Sequence, residues 1–187
     1  MYKWQKSAWN AWSKLRERLP HAVLLQSGDG WGELEFARTV AQSLLCEKPK
    51  PGAEPCGECQ GCRWFALGNH PDFRLVVPES LAPDTEEGAE PGKKRSDQVR
   101  IEQVRELADF LSVGTHRGGS RVTLIYPAEA MNANTQNALL KSLEEPPPAT
   151  VFLLVSRRYN PPSSDAGRGG RTFHSSLPGA DRCLAAG

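Results

Sequence analysis

The chain has 187 residues, 39% of them apolar and 24% charged, with a formal net charge of +1. That is length and apolar content enough for one folded domain with a core, or slightly more. No apolar run approaches the ~18 residues of a membrane span, and Met1-Tyr2-Lys3-Trp4 opens a charged, Trp-bearing segment rather than a signal sequence. The expected location is therefore the cytoplasm. A balanced charge gives no global attraction to nucleic acid, so contact with DNA would need a local patch or partner proteins.

In chain order, Trp4, Ala8, Trp12, Leu15 and Leu19 fall at helical spacing and Pro20 stops the pattern. Sharing one stripe, these tryptophans read as packing residues rather than base-stacking platforms. Ala22 to Leu25 is a short continuous apolar run, as in a strand buried on both faces of a parallel sheet. A glycine-rich loop follows, and then a helix from about Glu33 to Leu45, with Ala37, Val40, Ala41 and Leu44 inward.

Set against the phosphate-binding pattern G-x-x-x-x-G-K-[ST], that loop has the outline and none of the chemistry. Ser27 stands at the first Gly, Gly30 lies inside the loop and Gly32 keeps the last Gly. Glu33 takes the place of Lys, and Leu34 that of Ser or Thr. A carboxylate where an ammonium should be repels a triphosphate, and Leu34 offers no hydroxyl for magnesium. An ordinary Gly-rich strand-to-helix turn is the competing reading.

Next come the cysteines. Cys56, Cys59 and Cys62 form C-x-x-C-x-x-C, and Cys46 sits ten residues upstream at the end of the preceding helix. Four thiolates on tight turns can enclose one zinc ion tetrahedrally, leaving no coordination position open, so the expected role is structural. A redox C-x-x-C pair, an iron–sulfur cluster and unrelated free thiols are the alternatives. Cys183, alone near the end of the chain, reads as an unpaired thiol.

Phe73 to Val77 gives a second strand. Residues 83 to 97 run acidic and then basic, with Lys93-Lys94-Arg95 reading as a solvated charge run on a surface loop. Ile101, Val104, Leu107, Ala108 and Leu111 mark an amphipathic helix with Glu102 and Arg105 outward. Val122 to Tyr126 gives a third strand, Asn134 to Glu144 a third helix closed by Pro146-Pro147-Pro148, and Thr150 to Val155 a fourth strand. Strands separated by helices indicate a doubly wound α/β fold, a parallel sheet with helices on both faces. The third strand should end in Asp-Glu in a nucleotide hydrolase, for magnesium and for water activation. Here it ends in Tyr126-Pro127, which can do neither; Glu129 nearby reads as a helix-start acid.

From about His21 to Ser156 the chain resembles the clamp-loader branch of the AAA+ proteins, and within it the delta-prime family of bacterial DNA polymerase III. The likeness rests on Pro20-His21-Ala22, the cysteine quartet placed after the first loop helix, and His70-Pro71-Asp72. It rests further on Ile101 to Leu107 and, most specifically, on the block from Asn132 to Pro147. Hydrolysing members keep Lys-Thr and Asp-Glu, so the changes at Glu33, Leu34, Tyr126 and Pro127 match the delta-prime pattern. The resemblance implies no ATP bound and no catalysis by the chain itself, with a DNA-directed DNA polymerase (nucleotidyltransferase) function only through the holoenzyme. It also implies a hetero-pentamer with other clamp-loader subunits, acting on the sliding clamp and primed DNA in replication, with no membrane contact.

The resemblance stops after Ser156. A Ser-Arg-Cys motif expected soon after the fourth strand is missing, and Asp181-Arg182-Cys183 lies too far along and lacks the Ser. Residues 1–156 are thus read as one AAA+-like domain with a zinc module at about 46–62. Residues 157–187, rich in Gly, Pro, Ser and Arg, read as a disordered tail, a truncated product or an out-of-frame sequence, without the family's lid and collar. The alternatives are a free-standing zinc-containing DNA-binding adaptor, and an active clamp-loader ATPase with a divergent site.

Overall fold

The computed structural model describes residues 5–27, 31–82, 95–115, 119–158 and 173–174. Trp4, Gly30, the charged stretch 83–94 with Lys93 and Lys94, and the tail positions Arg182 and Cys183 lie outside them. The described elements are α1 (Lys6–Leu15), β1 (Ala22–Gln26), α2 (Glu33–Leu45), α3 (Gln60–Ala66), β2 (Phe73–Val76), α4 (Ile101–Ser112), β3 (Arg121–Ile125), α5 (Ala133–Glu144), β4 (Thr150–Ser156) and β5 (Phe173–His174).

The sheet runs β2-β3-β4-β1-β5. Its first four strands are parallel, with Val23 opposite Leu153 across β1 and β4 and Leu124 opposite Leu153 across β3 and β4. β4 lies between β1 and β3 because its seven residues are buried along their whole length, as a strand covered on both faces must be. β5 pairs antiparallel with the outer edge of β1, placing Leu24 opposite His174 and Leu25 opposite Phe173. No alternating pattern marks that segment in the sequence, and none is needed, since main-chain pairing does not depend on side-chain period.

The period of two in the strands divides the core. On one face Val23, Leu25, Val122, Leu124, Val151, Leu153 and Val155 pack with Trp9 and Trp12 of α1, Phe36, Ala37, Val40 and Ala41 of α2, and Phe65 of α3. On the other, Ala22, Val76, Ile125, Phe152 and Leu154 pack with Val104, Leu107 and Leu111 of α4 and Leu139 and Leu143 of α5. Trp12 is fully buried, its indole N–H donating to Ser43 Oγ at 3.2 Å. That contact explains why Ser43 is buried while Leu44, expected inward, is only half-buried: α1 covers a second side of α2.

Two further expectations change. Ala108 is exposed, because Val104, Leu107 and Leu111 already fill the face of α4 against the sheet. α3 has no counterpart in the sequence reading, being only seven residues long and built inside the cysteine pattern, which hid its period. The block from Asn132 earns its sequence specificity in a helix cap: Asn132 Oδ1 accepts from the Thr135 N–H at 2.9 Å, and Gln136 Nε2 donates to the Met131 carbonyl at 2.9 Å. Thr135, fully buried, reaches the Val99 carbonyl at 3.3 Å and so ties α5 to the chain entering α4.

Candidate functional site

Ligands of open parallel sheets sit beyond the carboxyl ends of the strands, where the loop after β1 and the exit of β3 meet. Ser27 directly follows β1, its N–H donating to the Ser156 carbonyl at 3.2 Å; its buried Oγ makes no hydrogen bond among the described residues. Gly32 caps α2 with φ 78° and ψ 38°, a left-handed conformation that a side chain would strain. Glu33 opens the helix and is 8% exposed, while Leu34 packs half-buried on the core.

Two of the residues singled out in the sequence, Glu33 and Tyr126, meet each other. The Tyr126 hydroxyl donates to Glu33 Oε1 at 2.9 Å, across 93 positions of chain. Burial first, and then the Glu33 hydrogen bond and charge, push the Tyr126 phenol up to about 12, with Arg157 pulling weakly the other way. Pro127 follows through a cis peptide bond. A phosphate brought to ~4 Å from the Glu33 carboxylate would meet about 4 kcal/mol of repulsion per charge pair at the effective dielectric of a partly buried site. Sequence reading found each of these positions separately; that they bond to one another is a tertiary fact.

Gln5 is a site residue the sequence did not reveal. It is 1% exposed, and its Nε2 donates to the carbonyls of Trp31 at 3.3 Å and Gly32 at 3.2 Å. A polar residue at a helix start reads as solvated, so no sequence signal distinguished it. Glu129 is a helix-start acid, as expected, and has a further partner. It lies in the first turn of a 3-10 helix, Ala128–Ala130, and its Oε1 accepts from the Arg157 N–H at 3.1 Å and faces the Arg157 Nε at 3.5 Å, fixing the chain where β4 ends.

A second centre lies at the opposite end of α2. Cys46 terminates that helix, and Cys56, Cys59 and Cys62 come from the following turn and the start of α3. All four Sγ atoms lie within 4.8 Å of one another; Cys46 is 3.5 Å from Cys56 and 3.9 Å from Cys59, and Cys56 is 3.9 Å from Cys62. Four sulfurs at ~2.3 Å from one tetrahedral ion stand about 3.8 Å apart, so this cluster fits a single metal ion. Backbone N–H groups support it: Cys56 N donates to Cys46 Sγ and Cys59 N to Cys56 Sγ, each at 3.3 Å, and Cys62 N donates to Cys59 Sγ at 3.4 Å.

The Cys59 N–H, and after it that of Glu58, lower Cys56 to about 6, whereas burial pushes Cys62 up to about 12 and raises Cys46. Gly57 turns with φ +80° inside the first C-x-x-C. At Gly61 an added Cβ would lie 2.6 Å from the Leu45 carbonyl, so only glycine lets α3 seat this close to the end of α2.

A family described as "DNA polymerase III, delta subunit" matches residues 4–161. The chain is similar to the DNA polymerase III subunit delta' of Pseudomonas aeruginosa, 40% identical over 158 residues, 84% of this chain and 43% of that protein. It is similar to the subunit delta' of Escherichia coli strain K12, 33% identical over 73% of this chain and 36% of that one. It also resembles the DNA polymerase III subunit tau of Salmonella typhimurium, at 32% identity over 74% of this chain and 19% of the other. A gamma subunit-related protein of Thermotoga maritima shares the fold, with TM-score 0.51 and 17% identity over 83% of this chain and 47% of that structure. The chain spans less than half the length of each of these relatives.

Proposed function

This chain belongs to the delta-prime-type clamp-loader subunits of DNA polymerase III, and from that membership we propose that it serves replication by shape and contact, without turning over nucleotide itself. Its partners on this reading are the other loader subunits of a hetero-pentamer, and through them the sliding clamp and primed DNA, in the cytoplasm. The observation that carries the reading is the Tyr126–Glu33 hydrogen bond. A residue pair that satisfies itself across the old catalytic crevice puts negative charge and a phenol where phosphate and magnesium would go.

The same reading assigns a structural zinc ion to Cys46, Cys56, Cys59 and Cys62. Sulfurs as close as 3.5 to 3.9 Å support one enclosed ion rather than the wider cage of an iron–sulfur cluster. A bound zinc ion would supply cross-linking of the Cys46–Cys62 segment, which has few apolar residues of its own to bury.

Isothermal titration of the chain with Mg-ATP tests the central point. No binding is expected; micromolar affinity with turnover would refute the proposal. Titration of the chain alone with primed-template DNA gives the complementary result: tight binding with a steep salt slope would instead favour a free-standing DNA adaptor.

A further inference from the structure

We propose that Cys56 is an oxidant-reactive site: peroxide joins it to Cys46, the four-sulfur set opens and gives up its ion, and the α/β body stays folded around the change. The inference rests on the structural-zinc reading above and deepens it. Cys46 and Cys56 bring their sulfurs to 3.5 Å, nearer than the 3.9 Å of Cys46 with Cys59 or of Cys56 with Cys62. A disulfide bond is about 2.05 Å long, so about 1.5 Å of side-chain movement closes that pair. Cys56 is half-buried and open to a small oxidant, whereas Cys46 is buried at the end of α2. Cys59 and Cys62 are fixed by α3 instead. Cys59 is its N-cap, and Cys62, 1% exposed in its first turn, donates its N–H to Cys59 Sγ.

The step balances with hydrogen peroxide as the oxidant. The thiolates of Cys46 and Cys56 give up two electrons and join through an S–S bond; the O–O bond breaks, two protons are taken up and two water molecules leave. Cys59 and Cys62 are then the remaining thiolates, and half of a closed tetrahedral set does not retain a structural ion.

On this reading the ion orders the turn before α3, and α3 itself is seated by other contacts. None of residues 48–58 is buried. That turn leans on α1 through two carbonyls, Gly52 accepting from Trp9 Nε1 at 2.9 Å and Ala53 from Arg16 Nη1 at 3.5 Å. With so little packing, it is the part of the module whose order depends on the metal. α3 differs. Phe65 is 5% exposed in the core and meets Phe73 of β2 at 4.7 Å between ring centroids, with the Arg38 guanidinium 5.6 Å from its ring. The Gly61 N–H also donates to Glu47 Oε1 at 3.3 Å, holding the start of α3 to the residue after α2 and Cys46.

Stepwise titration of the full chain with hydrogen peroxide tests this, in a Cys183→Ser background so that only the quartet reports. Zinc passing to a chromogenic chelator should reach about one ion per peroxide consumed, the ratio set by one two-electron disulfide. Peptide mapping after alkylation should show Cys46 linked to Cys56 as the first product, with Cys59 and Cys62 alkylated. Hydrogen–deuterium exchange should speed by at least ~10-fold in residues 48–58 and by less than about twofold in α3 and β2. A first disulfide between other cysteines, zinc release without a disulfide, zinc retained in ~10-fold peroxide excess, or exchange rising equally in α3 would overturn the inference. A chain that takes up no zinc before any oxidant is added would instead sink the zinc reading beneath it.

Discussion

Replacing Tyr126 by Phe deletes one oxygen and leaves the ring in place. In the wild type that oxygen donates at 2.9 Å to a carboxylate whose residue is 8% exposed. Hydrogen bonds to charged groups contribute about 1.5–3 kcal/mol, and removing the donor leaves Glu33 buried without it, so a loss of about 2 kcal/mol is expected at pH 8. For a chain of this size that lowers Tm by roughly 4–8 °C. Urea denaturation should show a lower midpoint at unchanged m-value.

The pH dependence adds a sign. Tyr126 titrates near 10 in the unfolded chain and at about 12 when folded, so the unfolded state gives up its proton first. Its contribution is whole below pH 10 and is lost as pH rises toward 12. Phe has no such titration, so the gap between wild type and variant should narrow over that window. A loss below ~0.5 kcal/mol at pH 8, within the range of neutral surface changes, or a gap that is constant or widening from pH 10 to 12, would refute the account of the crevice.

Metal analysis should find about one zinc per chain, and Cys59→Ser should loosen the module and raise exchange in 46–62; absence of zinc, or iron in its place, would refute that assignment. Because Cys46 and Cys62 are raised by burial and must lose protons to bind the ion, apparent zinc affinity should rise with pH, measured by competition with a chromogenic chelator. Gly61→Ala places a methyl 2.6 Å from the Leu45 carbonyl; a loss of about 1–3 kcal/mol is expected, with faster zinc release to the same chelator. Arg121 is 2% exposed, donates from Nη1 to the Phe110 and Leu111 carbonyls at 2.9 and 3.1 Å and from Nη2 to that of Gly114, and faces Asp72 at 4.0 Å. Arg121→Met removes the ion pair with Asp72 and the donors to the carbonyls at the end of α4, at a cost of about 3–5 kcal/mol in equilibrium unfolding.

What could be read in one dimension was whatever depends on neighbours along the chain. The apolar runs of β1, β3 and β4, the stripe of α4 through Val104, Leu107 and Leu111, and the spacing of Cys56, Cys59 and Cys62 each repeat at a period that the backbone imposes. Missing groups at Glu33, Leu34, Tyr126 and Pro127 were equally legible, because a motif fixes what should stand at each position. Long-range pairing had no such period. The bond from Tyr126 to Glu33, the burial of Gln5 against the Trp31 and Gly32 carbonyls, and the hold of Glu129 on Arg157 each join residues from distant segments. The sequence by itself therefore determined the parallel α/β body and which residues stand at Glu33, Leu34, Tyr126 and Pro127. Only the folded sheet, by bringing the ends of β1 and β3 to one edge with α1 against α2, decided that Tyr126 and Glu33 bond to each other.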